Sequence, residues 1–156
     1  MGCGPSHDFK GQTPLEKEAL RRRHAAVALL AERFCPLLAA SKAGDVEAMT
    51  QLLDGGAAVD QAKGDGTTSL WIACQNGRVD AARLLLDKGA EVDRAKKGGF
   101  TPLYVACLKS RVDAARLLLD KGAKVNRATR NGNTPLSIAK KNGHSSIVAL
   151  LEEHQK

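Results

Sequence analysis

Aromatic residues are scarce in this chain: one tryptophan, one tyrosine and three phenylalanines, 3% of 156 residues. β-Sandwiches and barrels draw on Tyr, Phe, Trp and Thr to fill their pleated faces, so this scarcity argues against both. Long hydrophobic runs are missing as well. The longest, Ala25 to Ala31, falls far short of the roughly 20 residues that span a bilayer, and the first dozen residues lack the apolar segment of a secretory signal. Catalytic and metal-binding patterns are absent too. No C-x-x-C, H-E-x-x-H, G-x-x-x-x-G-K-[ST] or G-x-S-x-G occurs, and these are the spacings that metal ligation, phosphate cradling and acyl transfer need. The four histidines, His7, His24, His144 and His154, hold no repeated spacing to cysteines or carboxylates. No catalytic residue, metal ligand or cofactor is therefore assigned, and the chain reads as a non-enzyme.

What is present is small and aliphatic. Hydrophobic residues make up 43% of the chain, mostly Ala, Leu and Val, which suits closely packed helices. The net charge is +7, and such a balance favours an acidic protein face, an anionic lipid surface or nucleic acid, unless it serves solubility alone. Nucleic-acid readers carry a recognition motif or a stacking platform. Neither is visible, so no specific nucleic acid is expected. Of the four cysteines (Cys3, Cys35, Cys74, Cys107), Cys74 and Cys107 lie 33 residues apart. Stacked helices are roughly 8–10 Å apart, whereas a disulfide wants Cα atoms within about 7 Å. Reduced, buried thiols of a cytoplasmic protein are expected.

The segment RVDAARLLLDKGA is written twice, from Arg78 to Ala90 and from Arg111 to Ala123, in a register of 33. Thr68-Ser69-Leu70, Thr101-Pro102-Leu103 and Thr134-Pro135-Leu136 keep the same step, with Cys35-Pro36-Leu37 one period earlier. A fixed period of this size marks a solenoid. The repeats run 35–67, 68–100, 101–133 and 134–156. In repeats two to four a Thr N-cap followed by Pro or Ser opens a short helix, about 102–109 in the third repeat, and Cys35 stands in place of the Thr in repeat one. A second helix covers about 112–120, and Gly56, Gly89 and Gly122 supply the left-handed residue beyond the second helices. Asp65-Gly66, Gly98-Gly99 and Asn131-Gly132 then mark tight, hairpin-like reversals. The second helix is apolar on more than one side (Val79, Ala81, Ala82, Leu84, Leu85, Leu86). Such a helix needs neighbours on both flanks, which is why the unit is repeated. Glu152 and Glu153 give the last helix a polar outer side, as a terminal cap requires.

These residues resemble the ankyrin repeat family, a 33-residue unit of β-turn and two helices with a T-P-L-H-x-A motif. Thr101-Pro102-Leu103-Tyr104-Val105-Ala106 and Thr134-Pro135-Leu136-Ser137-Ile138-Ala139 carry the likeness best. The motif histidine is replaced throughout, by Leu38, Trp71, Tyr104 and Ser137. The resemblance implies an all-α repeat solenoid with short hairpin-like loops, acting as a non-catalytic, monomeric scaffold that grips a protein on its concave side. Carried over position by position, the partner-binding residues are Trp71, Gln75, Asn76, Lys97, Phe100, Tyr104, Leu108, Lys109, Arg130, Asn133 and Lys141, with Lys42, Asp65 and Thr67 beside them. Trp71, Phe100, Tyr104, Lys109 and Arg130 are the expected hot spots, since aromatic and basic residues dominate such contacts. The alternative for Trp71 and Tyr104 is that they fill gaps between repeats.

Residues 1–12 lack periodicity and are expected to be flexible. They match M-G-x-x-x-[ST] through Gly2 and Ser6, a pattern for N-myristoylation of Gly2, with Cys3 available for palmitoylation. The two signals together would hold the chain at a membrane, helped by Arg21, Arg22 and Arg23. Residues 13–34 read as a helix opened by Thr13, Pro14 and Glu16. Its expected role is to cover the exposed side of the first repeat, the alternative being an amphipathic helix that lies on a membrane surface or binds a partner.

Overall fold

The computed structural model describes residues 13–31 and 36–155, with the side chains of residues 24–31 left aside. Its order of elements is α1 (Pro14–Ala31), α2 (Pro36–Ala43), α3 (Val46–Asp54), α4 (Ser69–Gln75), α5 (Val79–Asp87), α6 (Pro102–Leu108), α7 (Val112–Asp120), α8 (Pro135–Lys141) and α9 (Ser145–His154). No strand occurs among the described residues, only an isolated antiparallel bridge between Lys96 and Phe100.

Local chemistry sets the helix boundaries. At α1 the Thr13 hydroxyl accepts from the Glu16 N–H at 3.1 Å, and the Glu16 carboxylate accepts from the Thr13 N–H at 2.7 Å. Each group satisfies an otherwise orphaned donor, and the N–H of Thr13 holds the Glu16 carboxyl below its ordinary pKa. The hydroxyls of Thr68, Thr101 and Thr134 accept in the same way from Trp71, Tyr104 and Ser137, at 3.1–3.2 Å. Ser137 completes a reciprocal capping box, its hydroxyl accepting from the Thr134 N–H at 2.8 Å. Helix α7 stops at Lys121, and Gly122 follows with φ of 90°. That left-handed residue turns the chain out of the helix without a Cβ clash.

The four helical hairpins stack in register. Helices α2, α4, α6 and α8 form one layer and α3, α5, α7 and α9 the other, while α1 packs along α2. Arg23 of α1 also lies 3.6 Å from Asp45 at the start of α3. Small side chains let the first layer close up: Ala73, Cys74, Ala106, Cys107 and Ala139 are fully buried. Leucines and kindred residues between the layers (Leu70, Leu85, Leu103, Leu118, Ile147, Leu151) fill the core. The hairpins are too short to be stable alone, and this shared core is what holds them.

Polar ladders with the same period tie the outer edge. The Asp60 carboxylate accepts from the Glu91 N–H, and Asp93 accepts from Lys124 in the next repeat. Lys88 pairs with Asp54 and Lys121 with Asp87, at 3.3 and 3.4 Å. Arg78 and Arg111 are struts that the sequence reading did not single out. Their Nε atoms donate to the carbonyls of Lys42 and Gln75, at the end of the preceding repeat's first helix. The signal for them was present: an arginine one period apart, opening each copy of the duplicated segment.

Candidate functional site

The first helices lie against their counterparts more closely than the second helices do, and they are shorter. The stack is therefore tightest along that layer, and the first helices with the loop tips make its concave side. The tips interlock through backbone. The Lys97 N–H donates to the Asp65 carbonyl at 2.8 Å, and the Arg130 N–H to the Gly98 carbonyl at 2.7 Å. Glycine is required where they meet. A Cβ on Gly66 would come within 3.0 Å of the Lys96 Cα, and one on Gly99 within 3.1 Å of the Thr129 Cα.

Carboxylates are sorted between the two sides, while cations lie on both. Residues 61–78, 94–111 and 127–144, each a loop tip with the first helix that follows it, contain one carboxylate, Asp65. The same stretches hold Lys63, Lys96, Lys97, Lys109, Arg130, Lys140 and Lys141. The second helices and outer turns carry Asp80, Asp87, Glu91, Asp93, Asp113 and Asp120 among others. Lys109 and Lys141 stand at the C-terminal ends of α6 and α8, where the partial negative charge of the helix end favours a cation.

The structure divides the candidate residues into two groups. Lys97, Lys109, Arg130, Asn133 and Lys141 are exposed, and Gln75, Asn76, Phe100 and Leu108 are half-buried. Asn76 turns its amide back to the Ile72 carbonyl at 2.9 Å. Trp71 and Tyr104, by contrast, are 7% and 4% exposed. Their rings fill the spaces between repeats. The Trp71 indole N–H donates to the Phe100 carbonyl at 3.0 Å, and the Lys96 ammonium lies 4.5 Å above the indole. Phe100 meets Tyr104 edge to face, with centroids 5.3 Å apart, and burial raises the Tyr104 phenol above its ordinary pKa. These rings lie buried while Phe100 and Leu108 beside them remain partly open apolar side chains.

Asp65 anchors the first tip. Its carboxylate accepts from the Thr67 N–H at 3.0 Å and stands 3.5 Å from the Lys96 ammonium. These contacts, led by the bond to Thr67, hold its pKa down to about 2. Cys74 and Cys107 are free and buried. Burial drives the Cys74 thiol far up and pushes Cys107 up to about 12, so both stay protonated and un-nucleophilic. Among the described residues no group of three or more His, Cys, Asp and Glu is placed to hold a metal ion, and no helix is long and apolar enough to cross a membrane.

Residues 37–129 match the family described as ankyrin repeats (3 copies), and residues 131–155 match ankyrin repeat. The chain belongs to the ankyrin repeat family. Ankyrin repeats are generally protein–protein interaction modules and generally non-catalytic. No curated protein matches this chain. Gly2 and Cys3 lie outside the described residues.

Proposed function

We propose that this ankyrin repeat protein is a monomeric, non-catalytic scaffold that binds a protein partner with an acidic face on its concave side. The observation that carries the reading is the sorting of carboxylates: the tips and first helices present lysine and arginine with one carboxylate among them. Lys97, Lys109, Arg130, Asn133 and Lys141 supply the exposed polar contacts, and Phe100 and Leu108 the apolar ones. The interlocked tips are ordered before the ligand arrives, so little backbone freedom is lost on binding. A cytoplasmic setting suits the two free thiols. A second reading rests on Gly2, Cys3 and Ser6: acylation there would carry the scaffold to an anionic membrane, and intact-mass measurement of the chain from a eukaryotic cell checks it.

Capture from an extract of the native cell tests the main reading. The variant Lys109→Ala/Arg130→Ala is expected to lose most of the captured protein while unfolding at nearly the same temperature. Arg83→Ala/Arg116→Ala, on the outer helices, is expected to keep it. Undiminished capture by the first variant would show that a different face binds.

A further inference from the structure

The concave side is basic but not evenly so. At the tip of repeat two, Lys96 already has partners, lying 3.5 Å from the Asp65 carboxylate and 4.5 Å above the Trp71 ring. Asp65 is ionised and fixed at the tip of repeat one by the Thr67 N–H. Past that point the picture changes. Lys97, Lys109, Arg130 and Lys141 are exposed, and none of them makes an ion pair with another described residue. Five cations elsewhere are paired: Lys88 with Asp54, Lys121 with Asp87, Arg83 with Asp80, Arg116 with Asp113 and Lys140 with Glu152. A cluster of unmatched cations beside a partly open apolar strip formed by Phe100 and Leu108 is complementary to carboxylates carried on a chain with apolar side chains of its own.

We propose that the ligand is an acidic polypeptide segment lying from the tip of repeat two across repeats three and four, and that Asp65, at the tip of repeat one, sets the limit of its footprint by repulsion. The proposal rests on the concave side being the binding surface. Single-stranded nucleic acid fits less well, because it needs open aromatic faces for its bases, and here the rings of Trp71 and Tyr104 are buried between repeats. Asp65 is also suited to selection. It costs affinity for any acidic ligand that overruns the tip of repeat two, and it discriminates by position where the lysines discriminate only by sign.

Fluorescence anisotropy of the full chain with labelled polyglutamate, and separately with an oligothymidylate of matched charge, tests this. Changing Lys97, Lys109, Arg130 and Lys141 together to Ala is expected to weaken polyglutamate binding roughly tenfold or more, summing several partly exposed ion pairs. Asp65→Asn keeps the oxygen that accepts from Thr67 and removes the charge, so the tip should hold its shape. It is expected to strengthen binding roughly two- to threefold. Arg83→Ala/Arg116→Ala is expected to change nothing. If the four concave substitutions have no effect, the concave reading and this inference fall together. If they act but Asp65→Asn is silent, the footprint limit alone falls. Tighter binding of oligothymidylate than of polyglutamate would overturn the polypeptide assignment.

Discussion

The segment shared by repeats two and three adopts one backbone in two surroundings. Helices α5 and α7 have the same length and nearly identical N-cap angles, φ −83° and ψ 79° at Arg78 against −86° and 80° at Arg111. Side chains facing the hairpin's own first helix are buried alike: Ala82 with Ala115, and Leu85 with Leu118, all at 0% exposure. Those facing along the stack differ. Leu117 is buried, whereas its twin Leu84 is only half-buried. Neighbours account for this. The residues at the same register are Gln51 in α3 and Leu150 in α9, so Leu117 lies between two leucine positions and Leu84 between a glutamine and a leucine. Identical letters therefore have different energetic weight. The backbone follows from the segment, and the burial of its flank follows from the next repeat.

Truncation is the strongest way to break that comparison. Leu117→Ala is expected to cost about 3 kcal/mol and Leu84→Ala about 2 kcal/mol, because the better-enclosed leucine leaves the larger void. Chemical denaturation of the two variants measures the difference, and equal losses would mean that flank burial carries no weight. A second contrast lies at the first helices. Ser69 stands where repeats three and four have Pro102 and Pro135, and its hydroxyl is buried without a hydrogen-bond partner. Thr68 before it is extended, at φ −100° and ψ 167°, as proline demands of its predecessor. Ser69→Pro is thus expected to stabilise by about 1–2 kcal/mol, removing an unsatisfied group and restricting the unfolded chain. A higher thermal midpoint with unchanged circular dichroism checks it.

The smallest contrast is at the turn between the paired helices. Repeats one, two and four have Gly44, Gly77 and Gly143 there, and repeat three has Ser110 with φ of 58°. A Cβ on Gly44 or Gly77 would meet Arg78 or Arg111 of the next repeat at 2.8 and 3.0 Å. Above Ser110 the strut is His144 instead, its Nδ1 2.8 Å from the Cys107 carbonyl, and the shorter ring leaves space for a side chain. The left-handed backbone remains unfavourable for serine. Ser110→Gly is expected to gain about 0.5–1 kcal/mol, the relief of that conformation less the entropy glycine adds to the unfolded state. Equilibrium denaturation again measures it, and a loss of stability would mean that the serine makes a compensating contact.

Much of the fold was legible because it rests on short-range rules repeated in register. The Thr caps, the prolines at the first helical position, the closing glycines and the reciprocal Thr13–Glu16 cap each depend on residues within about one helical turn. Among the candidate residues, the register put Lys97, Lys109, Arg130 and Lys141 on the surface, and they lie exposed. For Trp71 and Tyr104 the register left open a contact with a partner or the filling of a gap between repeats. Trp71 and Tyr104 occupy positions on the concave register, yet the next repeat covers them, and the Phe100 carbonyl claims the Trp71 indole across 29 residues of sequence. Periodicity says which way a side chain points and not how far the following repeat reaches over it.

By itself the sequence determined the repeating unit, because capping, turn chemistry and apolar patterning act over distances shorter than one repeat and are copied with it. Only the tertiary structure decided which leucine of a matching pair is sealed, that Lys96 is held by Asp65 and Trp71, and that the cations beyond it are left unmatched among the described residues. These outcomes depend on distances between side chains of different repeats, and such distances exist only once the stack has closed.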